Sequence, residues 1–380
     1  MRVHNTEGGE VELDDGTDRE LDAQGGSVIP GLHDHHIHLR ALAAARGSVD
    51  VGPGVDLAQA LRGAPEGWVR AVGYAGDDLD RRRLDELVAD RPVRVQHRSG
   101  ALWILNSPAL RAVGLPDDHD GRLFRQDDWL RGRLPPAAHD LGAVGREALD
   151  LGVTAFTDTT PGREPDEAEA LRAALPQRLE LMMPLEVASS APVKLLLDDD
   201  TLPPVDELAA CVDEVHRAGR QVAVHCVTRV QLVAALAAGL GPGDRIEHGA
   251  LIPVDLDDEL RRRKLTVVTQ PNFVVERQAQ YERDVDPDDR PILYRCATLL
   301  RAGIRVLGGT DAPFGRPDPW AAMRAAVGRE LNPEEQLDPA AALALFTGTH
   351  GWCVLGVPRA VALRELDPAN IVETVLPQYG

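Results

Sequence analysis

Residues 221–249, "QVAVHCVTRVQLVAALAAGLGPGDRIEHG", decide the fold. A short apolar run at 222–226 is followed by a helical pattern at 230–239 and by a second short run at 245–249. Runs this short, β-branched or continuously apolar, are typical of strands buried on both faces of a parallel sheet. The pattern between them places apolar residues at helical spacing and stops at Gly239. Strand, helix and strand in this length make a βαβ unit. Each strand carries a histidine at its end, His225 and His248.

The same alternation extends outward. Further strand candidates are 32–39, 153–158, 179–185, 193–198, 266–271 and 304–311, which brings the set to eight. Helical patterns at 205–219, 256–264 and 292–303 fall between them. Eight strand–helix repeats predict an α/β fold, a (β/α)8 TIM-type barrel. A doubly wound open sheet competes, but no G-x-G-x-x-G follows the first strand. Residues 46–145 interrupt the repeat and read as a long insertion after strand one. Within them, "PVRVQH" (92–97) is a further strand. The ends, 1–28 and 352–380, read as a small composite β appendage, leaving 29–351 for the barrel.

Composition narrows the function. The chain has 380 residues and 43% hydrophobic content, enough to fill a large core. Its net charge of −20 argues against nucleic acid or an anionic membrane as partner. No apolar run approaches the roughly 18 residues of a membrane span. The first residues, "MRVHNTEGGEVELDDG", lack a signal-peptide core. Four scattered cysteines without a C-x-x-C pair predict reduced thiols and a cytoplasmic protein.

The chemistry sits at the strand ends. "HDHHIH" (33–38) puts His36 and His38 on one side of a strand and His33 and His35 on the other. Asp34 shares the side of His36 and is read as a partner that orients a ligand. H-x-H at a strand end is a two-point metal clamp. With His225, His248 and Asp311 at other strand ends, a barrel would bring the set to one mouth. Imidazole and carboxylate donors without thiolate suit zinc first, or manganese, iron, cobalt or nickel, in a catalytic site with open positions. Only two of the 41 basic residues are lysines, Lys194 and Lys264. Lys194 lies in a strand, where a charged amine must pair or be modified. One reading is an ion pair with Asp198 or Asp199. The other is a carbamate, an anionic oxygen ligand able to bridge two metals.

These residues resemble the amidohydrolase superfamily pattern: H-x-H on strand one, a carbamylated lysine on strand four, histidines ending strands five and six, aspartate ending strand eight. His36, His38, Lys194, His225, His248 and Asp311 match it in that order. "RPVRVQHRSGALWILNSPAL", "DRIEHGALI", "VVTQPNF" and "GGTDAPFGRPDPW" resemble the amidohydrolase 3 branch, which includes N-substituted formamide deformylases. The resemblance covers roughly residues 24 to 356. It implies one or two divalent metals, carbamylated Lys194, a small-molecule substrate and a homodimer. It also implies hydrolysis of a C–N bond in an amide, N-substituted formamide or cyclic amide, with Asp311 as the catalytic base. The terminal segments are shorter than in that branch, and "CVTRVQ" follows His225 where relatives have a glycine-aspartate turn.

A deaminase of the same superfamily is the near alternative, although no glutamate follows His225. A catalytically degenerate metal-binding barrel is the other. Trp103 and Asn106 in the insertion, Gln270 and Asn272 after strand seven, and Phe314 after Asp311 are candidate substrate contacts.

Overall fold

A computed structural model describes residues 1–135 and 139–377. The chain divides into two compact units, Met1–Leu39 with Leu141–Gly380, and Arg40–Asp140.

In the first unit all eight expected runs are strands: β1 (Ser27–Ile37), β2 (Val153–Asp158), β3 (Arg178–Leu181), β4 (Val193–Leu196), β5 (Val222–Cys226), β6 (Arg245–His248), β7 (Thr266–Thr269) and β8 (Arg305–Gly308). Strands β1, β2 and β3 pair in parallel in that order, as do β4 through β8. Beyond the ladders, Met183 N–H donates to Pro192 O (3.3 Å) between β3 and β4. At the other seam Asp311 N–H donates to His36 O (2.8 Å) and His38 N–H to Ala312 O (2.9 Å). Helices follow the strands, among them Val205–Arg217, Arg229–Ala237 and Pro319–Gly328. Thr228 and Gln231 form a reciprocal capping box at the start of Arg229–Ala237. That helix is thereby placed one turn beyond the His225-bearing strand.

The termini divide differently from the expected single appendage. Three N-terminal strands, Arg2–Thr6, Gly9–Glu12 and Glu20–Asp22, form a sheet of their own. The C-terminal strands Thr347–Leu355 and Ile371–Val375 extend the β1 sheet instead, antiparallel to β1. What joins the two ends is a shared apolar cluster of Met1, Val3, Leu13, Ala23, Val354 and Val375. Burying one apolar face suffices to dock a small sheet without any ladder between them.

The second unit, Arg40–Asp140, starts and ends about five residues earlier than the expected insertion. Its five-stranded sheet includes Val69–Tyr74, Val93–His97 and Leu102–Leu105. Val69, Ala71, Val93, Val95 and Ile104 pack into one core with Leu61, Leu79 and Leu84. The end of the expected insertion, from Leu141, instead forms helix Leu141–Asp150, which belongs with the first unit. Its face of Val144 and Ala148 is buried there.

All four cysteines are free thiols. Among the described residues no helix is long and apolar enough to cross a membrane.

Candidate metal centre

The candidate ligands meet at the ends of β1 and β8. The Nε2 atoms of His36 and His38 lie 3.4 and 3.2 Å from the same oxygen, Asp311 Oδ1. Ligand atoms of these three residues all fall within 4.8 Å of one another. The His248 ring stands 4.6 Å from that of His36 and 4.5 Å from that of His225, centroid to centroid. The structure thus brings His36, His38 and Asp311 tightly together, with His248 and His225 as the next rings.

Close approach needs a glycine. A Cβ added to Gly309 would lie 2.4 Å from the His36 Cβ, so only glycine lets the end of β8 approach His36 this closely. Two ligand candidates have left-handed backbone, His248 (φ 71°) and Asp311 (φ 55°), which is uncommon outside glycine. In a regular strand Glu247 and His248 would face opposite ways. The left-handed turn at His248 brings its ring to the same side as the Glu247 carboxylate. Both then stand against His36.

Each imidazole is held from behind. His36 Nδ1 is 2.5 Å from Glu247 Oε2, a carboxylate that can only accept, so the ring proton sits on Nδ1 and the Nε2 lone pair faces Asp311. His248 Nδ1 is likewise 2.8 Å from Gln270 Oε1. His38 Nδ1 is 3.1 Å from Thr160 Oγ1. Burial holds the pKa values of His36 and His248 well below the usual histidine range, with nearby Lys194 and His38 adding to it at His36 and His225 at His248. Both rings are therefore neutral, with a lone pair to offer.

Among the described residues Lys194 makes no ion pair. Its Nζ is buried without a hydrogen bond among the described residues. Asp198 instead accepts from Asp200 N–H, and Asp199 from Thr228 Oγ1. The expected ion pair with either is absent, because both carboxylates cap local backbone and side chains beyond the strand end. Burial lowers the Lys194 pKa, while the charges of Glu247 and Asp311 raise it again. The amine therefore sits among the same groups that surround His36.

The donor set fits a divalent cation. His36 Nε2, Asp311 Oδ1 and Lys194 Nζ are all buried and without hydrogen-bond partners. Unsatisfied buried polar atoms are costly, and three in one place call for a bound group. Neutral imidazole and carboxylate are the donors a divalent ion takes. By sequence, residues 190–372 match the family described as "Amidohydrolase family". That match spans just under half of the chain and supports the amidohydrolase superfamily, branch 3.

A Bacillus subtilis (strain 168) protein described as "Putative amidohydrolase YtcJ" is 22% identical over 401 residues, covering 83% of this chain and 76% of that protein. An uncharacterized metal-dependent hydrolase from Pyrococcus horikoshii OT3 superposes with a TM-score of 0.72 at 18% identity, over 99% of this chain and 94% of that one. Its counterpart from Pyrococcus furiosus gives 0.69 at 19% identity, over 99% and 95%. At these identities the structural likeness is one of fold. Together with the sequence match, these likenesses support a metal-dependent hydrolase of that superfamily.

The remaining expected site residues separate into two groups. Gln270, fully buried, bonds His248 and leaves its Nε2 without a partner. Asn272 is buried and donates to Thr310 O at 3.2 Å, tying the end of β7 to that of β8. Phe314 packs edge-on to the His38 ring at 5.6 Å. Trp103 and Asn106 have structural roles in the other unit instead. Asn106 caps helix Ser107–Val113, accepts from Val93 N–H and donates to Val88 O and Arg91 O. With every polar atom of a fully buried amide used on backbone, none remains for a substrate. Trp103 is a core residue whose Nε1 donates to Asp127 at 2.8 Å.

Asp34 orients backbone, not an imidazole. It accepts from Thr310 N, Thr310 Oγ1 and His36 N, so it ties β1 to the turn that carries Asp311. His33 and His35 lie away from solvent. Both are buried, with rings stacked at 3.9 Å, and His33 Nε2 reaches Thr157 Oγ1 at 2.9 Å. Sequence reasoning missed Glu247, Arg245 and Thr160. Arg245 Nε donates to Glu247 Oε1 at 2.7 Å and Nη2 to His35 O at 2.8 Å. The one available signal was "RIEHG", where two opposite charges share the face of a buried strand and therefore demand each other.

Proposed function

We propose that this chain is a metal-dependent amidohydrolase that hydrolyses a non-peptide C–N bond, in an amide, N-substituted formamide or cyclic amide. In this reading the eight strands close into a (β/α)8 barrel with a long insertion after β1. The observation that carries it is the shared approach of His36 Nε2 and His38 Nε2 to Asp311 Oδ1 at the strand ends.

One or two divalent ions, zinc foremost, would be held by His36, His38, His225, His248 and Asp311, and by Lys194 once carbamylated. When bound, the metal supplies Lewis acidity to the scissile carbonyl and lowers the pKa of a water. The chain does the rest. Glu247 and Gln270 fix the tautomers of His36 and His248. The Asp311 carboxylate takes a proton from the attacking water and returns it to the leaving nitrogen. Phe314 covers the His38 ring and limits water on that side.

Elemental analysis of the native chain and of Lys194→Ala, with turnover of a panel of amides and N-substituted formamides, tests the reading. One or two metals per native chain, fewer in the variant, and turnover of at least one panel member are expected. No metal in the native chain after incubation with zinc or manganese would overturn it.

A further inference from the structure

The second unit gathers positive charge on one face of its sheet. Along Val69–Tyr74 and Val93–His97 alternate residues, Val69, Ala71, Val93 and Val95, enter the apolar core. Residues between them, Arg70, Arg94 and Gln96, lie on the opposite face. Trp103 from the neighbouring strand joins them there, with the Arg70 Cζ 5.2 Å and the Arg94 Cζ 5.0 Å from its ring centroid.

The two guanidinium groups are poorly compensated. Arg70 donates only to neutral oxygens, Ser48 Oγ at 2.5 Å and Gln96 Oε1 at 3.3 Å. Arg94 makes no hydrogen bond among the described residues. The acid whose charge offsets both is Asp127, and it already accepts the Trp103 Nε1–H. Burial, with Arg94 adding to it, brings the Arg70 pKa down to about 10, and burial does the same to Arg94. His139 is held below its usual range by burial and by Arg70, Arg40 and Arg94. In a chain of net charge −20, two partly buried guanidinium groups sharing a single acid are not explained by surface composition.

We propose that Arg70 and Arg94, stacked over Trp103, bind the oxyanion of a small molecule, a carboxylate or a phosphate. A guanidinium is a planar fork of donors that matches two oxygens of such a group at once. Arg70 is already oriented by Ser48 and Gln96, and Arg94 has its donors unengaged. The site stands apart from the metal reading and can be measured on metal-free protein.

The test titrates the full chain with sodium phosphate and, separately, sodium acetate, with ionic strength held constant by chloride. Calorimetry and thermal unfolding are the readouts. A saturable response to one or both anions is expected, and the stronger one identifies the ligand chemistry. Arg94→Ala should weaken binding at least 10-fold, and Arg94→Lys, which keeps charge but loses the fork, should fall between. Asp127→Asn still accepts from Trp103 and removes the competing charge, so it should bind several-fold tighter. No saturable response in the native chain, or equal binding in Arg94→Ala, overturns the proposal. If Arg94→Ala does not fold, unchanged or weaker binding in Asp127→Asn overturns it.

Discussion

His36 Nδ1 lies 2.5 Å from Glu247 Oε2, across 211 residues of chain. Both side chains are buried, and Arg245 Nε holds the other Glu247 oxygen at 2.7 Å. The Glu247 pKa is lowered: Arg245 and Lys194 outweigh the burial that would raise it. A buried carboxylate held ionised in this way keeps the His36 proton on the far side from Asp311.

Glu247→Gln keeps the shape and loses the charge. Metal affinity is expected to fall about 10–100-fold, the usual consequence of removing a ligand's outer partner. Competition with a chelating dye measures it. Glu247→Ala leaves Arg245 without its acid and should cost about 3–5 kcal/mol of stability by denaturant unfolding.

Gln270 acts on His248 as Glu247 acts on His36, with a neutral oxygen. Gln270→Leu removes the acceptor that fixes the ring proton on Nδ1. Metal retention through dialysis is expected to drop roughly 10-fold or more, with the fold intact by circular dichroism. Full retention would reduce Gln270 to packing.

The buried His33 has its pKa pushed down to about 3 by burial, with Arg245 and Arg178 contributing. Unfolded, the same ring titrates near its ordinary value of about 6.5. Between these values the unfolded chain binds a proton that the folded chain does not. Stability from this group is therefore complete above about pH 6.5 and lost as pH falls towards 3. His33→Gln should flatten the decline of melting temperature over that window. An unchanged slope would place the acid sensitivity elsewhere.

Asn106→Ala distinguishes its two readings. The cap is worth about 1 kcal/mol. Buried backbone groups of Val88, Arg91 and Val93 also lose their partner, at about 1–3 kcal/mol each in the worst case. A loss of about 2–4 kcal/mol with KM unchanged in the surviving enzyme is expected. A KM effect without a stability loss would restore a substrate contact.

Sequence alone determined the run of strands and which residues stand at their ends. Strands buried on both faces must be short and apolar, so all eight were visible as interruptions of helical periodicity. His36, His38 and Asp311 were visible too, because polar groups at the end of such a strand stand out against it.

Tertiary structure decided what no short pattern holds. Glu247 and His248 are neighbours that alternation would send to opposite faces, and the left-handed backbone at His248 places both against His36. Asn106 reads as a free amide until strand Val93–His97 and helix Arg81–Leu87 arrive to use it. Asp198 and Asp199 follow Lys194 by only four and five residues, yet the acids whose charges act on its amine are Glu247 and Asp311. The C-terminal strands join the β1 sheet because Thr347–Leu355 finds β1 as its antiparallel partner. In each case the deciding contact joins residues far apart along the chain, and its free energy exists only once the fold has paired them.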